Sequence, residues 1–266
     1  MRRLIIFIIL LFECFALQAQ DVHFPAIPSN LTDSSERSLY LAEHFWETND
    51  LGDTLLIHHP TVVFDFVYIL SKIPQEEACR LMTETARHAL CFPETYSYTE
   101  YWFEHYLHDS LSPYYNDELF IPFLETICNS ECDEMLKMRA QFLLSRCRMN
   151  RVGQLATDFV IRADDGQEQL LSQLKADYII LWFFQHGCGA CSESAEYLRN
   201  SETVQNAFGS SDIILIPIDV EKEPDLVGNL YELQYYPVFY VIGKDNTIIL
   251  KEASLDRVDA FLKSII

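Results

Sequence analysis

Two patterns of apolar and polar positions divide this chain. Residues 21–150 show no strand-like alternation and no internal repeat, and their apolar stretches are bounded by helix start and stop signals. The pattern predicts helices over 34–48, 61–72 and 75–91. After a break at Pro93 it predicts another over the aromatic-rich run "YSYTEYWFEHYLHD" (96–109). Pro60 and Pro74 suit first helical positions, where a missing N–H has no partner to lose. Asn116 can cap a helix reaching about Cys128, and Ser130 with Asp133 reads as a capping box for a last helix over 131–148. A polar joint, "RMNRVGQ", closes this half.

From residue 151 onward short β-type runs alternate with helical ones. "DFVI" (158–161) and "YIILWFF" (178–184) come first, and the second is apolar throughout, as for a strand buried on both faces. A helix follows from Cys191 to about Asn200, then "IILIPID" (213–219) as another buried strand. A helix near 224–233 leads to "PVFYVI" and "TIILK", joined by the turn "GKDN" (243–246) as an antiparallel hairpin, and a last helix covers 255–265. The order β-β-α-β-α-β-β-α predicts a mixed sheet with helices on both faces, an α/β three-layer sandwich preceded by an all-α domain.

Between the apolar strand and its helix lies "QHGCGACS" (185–192). Reactive groups gather at the carboxyl ends of such strands. A helix N-terminus offers unpaired N–H groups and the positive end of the dipole, so the thiol of Cys188 is expected to ionise below the free value of about 8.5. Gly189 and Ala190 let the chain turn, and Cys191 returns one helical turn later. The expected roles are unequal: Cys188 is the exposed nucleophile, Cys191 the resolving thiol.

These features carry a resemblance. "GQLATDFVIRADDG" followed by "LSQLKADYIILWFFQHGCGAC" resembles the TlpA/ResA-like thiol–disulfide oxidoreductases of thioredoxin fold, and "LYELQYYPVFYVIGKDNTII" is similar to their helix, cis-proline and closing hairpin. The resemblance covers roughly 153–266. The helical half, with "SPYYNDELFIPFLE", resembles a domain of unknown function that precedes such domains in Bacteroidota. The resemblance implies Cys188 as nucleophile, Cys191 as resolving cysteine and Pro237 as the cis-proline, with the backbone of Tyr236 facing an extended client. The chain departs from the family pattern at Gly187, where a tryptophan is usual, and at Ala190 and Glu196, where proline is frequent. Trp182 also replaces a buried aspartate of thioredoxin itself.

Other chemistry has weaker support. A structural zinc site needs four N or S ligands, and the chain has no second CxxC. His186 reads as a loop histidine or as a group that lowers the Cys188 pKa. Glu193 and Glu196 either relay protons for Cys191 or only favour the helix start. His105 and His108 share one helix face and with Asp109 could bind a metal, but surface or satisfied histidines explain them better. A peroxiredoxin would carry T-x-x-C, which is absent.

The N-terminus reads as an export signal: Arg2 and Arg3, an apolar run over 4–12, and small residues that fit cleavage after Ala19. Acylation of Cys14 is the second reading, giving a lipid anchor. Without Cys14, Cys79, Cys91, Cys128, Cys132, Cys147, Cys188 and Cys191 remain; an odd number cannot all pair within the chain. Cys79 with Cys91, and Cys128 with Cys132, stay open as pairs. A net charge of −21 argues against nucleic acid as a partner. The sequence thus predicts a signal over 1–19, a helical domain over 20–150 and a thioredoxin-like domain over 151–266. Its activity would be disulfide exchange in the periplasm with client proteins, with a membrane thiol as electron donor and no cofactor. The rival is a non-catalytic docking module on a thioredoxin-fold scaffold.

Overall fold

The computed structural model describes residues 22–162, 168–223, 226 and 229–266. The predicted signal over 1–19, Cys14 and the end of the quoted run "GQLATDFVIRADDG" (153–166) lie outside them. The helical half is built from α1 (Ser34–Glu43), α2 (Phe45–Thr48), α3 (Thr54–Ile57), α4 (Pro60–Leu70), α5 (Gln75–Ala89), α6 (Pro93–Leu107), α7 (Asp117–Cys128) and α8 (Glu134–Cys147). Local capping explains most boundaries. The Asp33 carboxylate accepts from the N–H groups of Ser35 and Glu36, and Asn116 accepts from Glu118 N–H. Pro60 opens α4 as expected, but Pro74 lies one residue before α5. Pro93 does not break the chain; it opens α6, because a first-turn proline gives up no hydrogen bond. The helix expected over 34–48 divides at His44. The last helix begins at Glu134 with Asp133 as its cap, while the Ser130 hydroxyl donates back to Ile127 O and closes α7 instead.

The aromatic residues of this half form its core. Phe45, Phe66, Phe103, Phe120 and Phe123 are fully buried, in edge-on and tilted ring contacts such as Phe103–Phe123 at 5.1 Å. Each buried ring contributes about 1.5–3 kcal/mol of transfer free energy.

The second half opens with a ribbon of β1 (Val160–Arg162) and β2 (Glu168–Leu170), then a 3-10 turn at Leu171–Gln173. It continues with β3 (Tyr178–Phe184), α9 (Gly189–Asn200), α10 (Glu202–Ser210), β4 (Ile213–Asp219), β5 (Val238–Gly243), β6 (Ile248–Ala253) and α11 (Leu255–Ser264). The four-stranded sheet runs β4-β3-β5-β6, with β3 parallel to β4 and antiparallel to β5. The apolar run of β3 lies inside the sheet, as its composition required. β4, expected to be buried, is an edge strand, and Pro217 within it is exposed; proline cannot donate to a second neighbour. The sequence pattern missed β2 and α10.

One sheet face packs Phe239 and Val241 against Leu198 of α9, Val204 of α10, and Val258 and Leu262 of α11. The other packs Ile179, Leu181 and Tyr240 against Phe159, Leu171, Leu226 and Tyr231. The helix expected at 224–233 falls partly outside the described residues, and 229–233 form turn and a single bridge position rather than helix. Among the described residues no apolar cluster spans both halves. The joint after α8 runs along the hairpin, with Gly153 N–H bonded to Ile248 O and Ile248 N–H to Gln154 O.

Candidate active site

Cys188 ends the loop after β3 and caps α9, and its sulfur accepts the N–H of Cys191 at 3.1 Å. The two cysteines form a disulfide, with Cα atoms 5.2 Å apart. Cys188 is half-exposed, whereas Cys191 is only 4% exposed. The loop turns at Gly187, whose φ of +75° is a left-handed conformation in which a tryptophan would be strained. This gives a local reason for the departure from the family pattern.

Tyr236–Pro237 is a cis peptide. The Tyr236 carbonyl oxygen lies 3.7 Å from Cys188 Sγ. The structure therefore brings Cys188, Cys191, Tyr236 and Pro237 together across 48 residues of sequence. Chemically, the site offers an accessible sulfur, an N–H that stabilises its thiolate, a carbonyl beside it and a shielded second sulfur.

The neighbours take other parts. His186 is exposed, and its Nε2 lies 2.9 Å from Asp219 Oδ2, which also meets Lys222. Glu193 and Glu196 are exposed in the first turns of α9. Trp182 lies parallel to Phe239, its indole N–H buried with no partner among the described residues. His105, His108 and Asp109 do not converge. His105 stays at the surface 3.7 Å from Asp109, while His108 turns inward. Cys79, Cys91, Cys128, Cys132 and Cys147 are all free thiols, so neither pair left open by the sequence forms.

Sequence reasoning missed a second cluster, where the halves meet. Lys251, 2% exposed, bonds Asp117 at 2.7 Å and the carbonyls of Arg146 and Cys147. His108 Nδ1 lies 2.6 Å from Asp117 and 3.5 Å from Cys147 Sγ, and its Nε2 lies 3.6 Å from Glu232. Burial works against the imidazolium, but the bonds to Asp117, Cys147 and Glu232 outweigh it and push the His108 pKa up to about 12. Burial also disfavours the charged carboxylates. His108 and Lys251 nevertheless hold Asp117 below its ordinary range, and the same two cations with Arg146 do so for Glu232. Glu252 differs: burial first, then Glu232, push it up to about 8. His108, Asp117 and Cys147 could in principle hold a metal, since their donor atoms lie within 4.8 Å of one another. The Lys251 ammonium already occupies the cation's place beside Asp117. The one signal in the sequence was a lysine and a glutamate ending the apolar run "TIILKEA".

The family described as a domain of unknown function, DUF5106, matches residues 13–150, just over half of the chain. The chain belongs to that family. Beyond the matched segment, this DUF5106 protein is thioredoxin-like. A thioredoxin-like protein from Bacteroides caccae superposes with a TM-score of 0.80 at 26% identity, over 91% of this chain and 98% of that one. The C-terminal domain of an uncharacterised Bacteroides fragilis protein matches at 26% identity and TM-score 0.39, over 43% of this chain and 98% of its own. A thiol:disulfide interchange protein from Bacteroides sp. matches at 17% identity and TM-score 0.35, over 43% and 90%. No curated protein sequence matches. This DUF5106 protein is thus similar over most of its length to a thioredoxin-like protein of Bacteroidota.

Proposed function

We propose that this protein is an exported thiol–disulfide oxidoreductase that exchanges disulfides with client proteins through Cys188 and Cys191. The observation that carries this reading is the unequal pair. A half-exposed sulfur caps a helix beside the Tyr236 carbonyl, with its partner buried one turn away.

In the reduced protein the Cys188 thiolate attacks a client disulfide. One client sulfur leaves as a thiolate and takes a proton from water, and the other stays bonded to Cys188. Cys191 loses its proton and attacks Cys188 Sγ from within the same turn. The client's second thiol is released and the internal disulfide forms, so two electrons have passed to the client. The N–H of Cys191 stabilises Cys188 whenever it carries negative charge. A client's extended backbone would pair with the peptide groups at Tyr236 and Pro237. The family resemblance favours the reducing direction in the periplasm, with a membrane thiol donor resetting the pair.

Cys191→Ser removes the escape route, so it should accumulate client proteins as reducible conjugates on Cys188. Cys188→Ser should trap few. Acid quenching, purification and paired non-reducing and reducing gels read the result. Equal trapping by the two variants would overturn the assigned roles. No trapping, together with failure of the native protein to reduce insulin, would favour a docking module.

A further inference from the structure

A groove of about 490 Å³ lies between the two halves, walled by α6 and α8 on one side and by residues 232–235 on the other. Three large rings from separate elements line it and remain open to solvent: Tyr101 at 51%, Phe142 at 61% and Tyr235 at 43%. Its walls are fixed to each other. Gln234 donates to His108 O and accepts from Ser110 N–H, and Arg146 donates to Glu232. Both arginines at the groove are engaged by carboxylates of this chain, Arg139 with Glu100 and Glu104 and Arg146 with Glu232. An unpaired cation is therefore not what the groove presents, and the whole chain carries −21.

We propose that this groove binds the client polypeptide beyond its reactive cysteine, taking one large apolar side chain from an extended segment with basic flanks. The proposal rests on the oxidoreductase reading and names its substrate class. The occupant follows from continuity. A polypeptide held on Cys188 emerges beside the Tyr236 carbonyl, 3.7 Å from the sulfur, and the next residue along that wall is Tyr235. Extended chain advances about 3.3 Å per residue, so client residues close to the mixed disulfide pass along the wall that carries Tyr235. Converging aromatic rings are the usual anchors of such contacts, and an acidic surface favours basic flanks.

The test uses synthetic peptides with lysine flanks. Each carries one cysteine as its thionitrobenzoate mixed disulfide, with tryptophan or serine three residues away. The full-length Cys191→Ser protein, reduced with dithiothreitol and desalted, attacks the peptide sulfur. The peptide stays on Cys188 and thionitrobenzoate leaves, which absorbance records. The tryptophan peptide should react about tenfold faster than the serine peptide, and Phe142→Ser or Tyr101→Ser should bring the ratio close to one. A second arm measures fluorescence anisotropy of the same peptides, with serine for cysteine, on the Cys188→Ser/Cys191→Ser double variant. Circular dichroism confirms folding of each variant.

Exchange without discrimination in either arm would overturn the groove and leave the oxidoreductase reading intact. Discrimination in the anisotropy arm with no exchange would sink that reading and keep the groove as a peptide site. A concentration-dependent dimer that Phe142→Ser dissociates, with peptide discrimination unchanged, would assign the groove to a second copy and overturn the proposal.

Discussion

The dithiol mouth and the junction between the halves both gather polar chemistry, and they do so in opposite ways. At the mouth, Cys188 and Cys191 lie three residues apart, and the supporting N–H comes from their own helix. At the junction, Cys147 is bonded to His108, His108 to Asp117 and Asp117 to Lys251, across 39, 9 and 134 residues of sequence. The mouth leaves one sulfur accessible. The junction encloses its thiol completely, and burial pushes the Cys147 pKa up to about 11, against the pull of His108. A thiol reacts as its thiolate, so the open sulfur is the one placed for the proposed exchange and the enclosed one is held as a thiol. Access and the nearest donor decide this, not the presence of a histidine or a charge nearby.

The largest expected effect separates the two cysteine environments. Cys188→Ser should reduce insulin no faster than the reaction without protein, while its Tm stays within a few degrees of the native value. Cys147→Ser should show the converse: exchange unchanged, and stability lower by about 1–3 kcal/mol because a hydroxyl replaces a thiol in a closed site. Insulin turbidity and urea unfolding of both variants check the pair. Loss of exchange in Cys147→Ser would erase the distinction.

Next in size, Lys251→Met should destabilise the protein by about 3–5 kcal/mol, because Asp117 and Glu232 would be left as buried charges with less compensation. Adding Asp117→Asn should recover part of that loss in a double-variant cycle. A loss below about 1 kcal/mol in urea unfolding would mean that the junction is solvated rather than enclosed.

The junction should also make stability depend on pH, with a sign that can be worked out. Glu252 titrates near 8 in the folded chain against 4.5 ordinarily, so the folded state holds a proton that the unfolded chain releases, and stability falls as pH rises from 4.5 to 8. The His108 contribution is complete below its ordinary 6.5 and is lost as pH climbs towards about 12. Asp117 and Glu232, held low, contribute above their ordinary values and lose that contribution as pH falls through their folded ones. The urea midpoint should therefore be highest near pH 4.5 and fall steadily towards pH 8. Glu252→Gln should flatten part of that decline, and an unchanged slope in this variant would remove Glu252 from the account.

The smallest effect calibrates the rest. Asp133 caps α8 by accepting from Met135 N–H at an exposed position. Asp133→Ala should lower stability by about 1 kcal/mol, with no change in exchange. A larger loss would mean that α8 supports the junction through its first turn as well as through Cys147.

Much of the fold was legible where local rules apply. Asn116 caps α7 as its residue type suggested, and the apolar run of β3 became an interior strand. Local rules misled where two signals lay close together. Pro93 looked like a break and is a helix start, and Ser130 looked like a cap but closes the preceding helix. "IILIPID" looked buried, but Pro217 keeps it at the sheet edge. The sequence pattern showed neither α10 nor β2.

The sequence by itself determined the dithiol and its place at a strand–helix boundary. Those features depend on spacing, capping and apolar runs, which act within a few residues. Tertiary structure alone decided that His108 turns away from His105 to meet Asp117, and that Lys251 is buried against the other half. Each of these depends on which charge or carbonyl the folded chain brings close. Desolvation then makes an unpaired group costly, so a partner distant in sequence becomes a requirement of the fold.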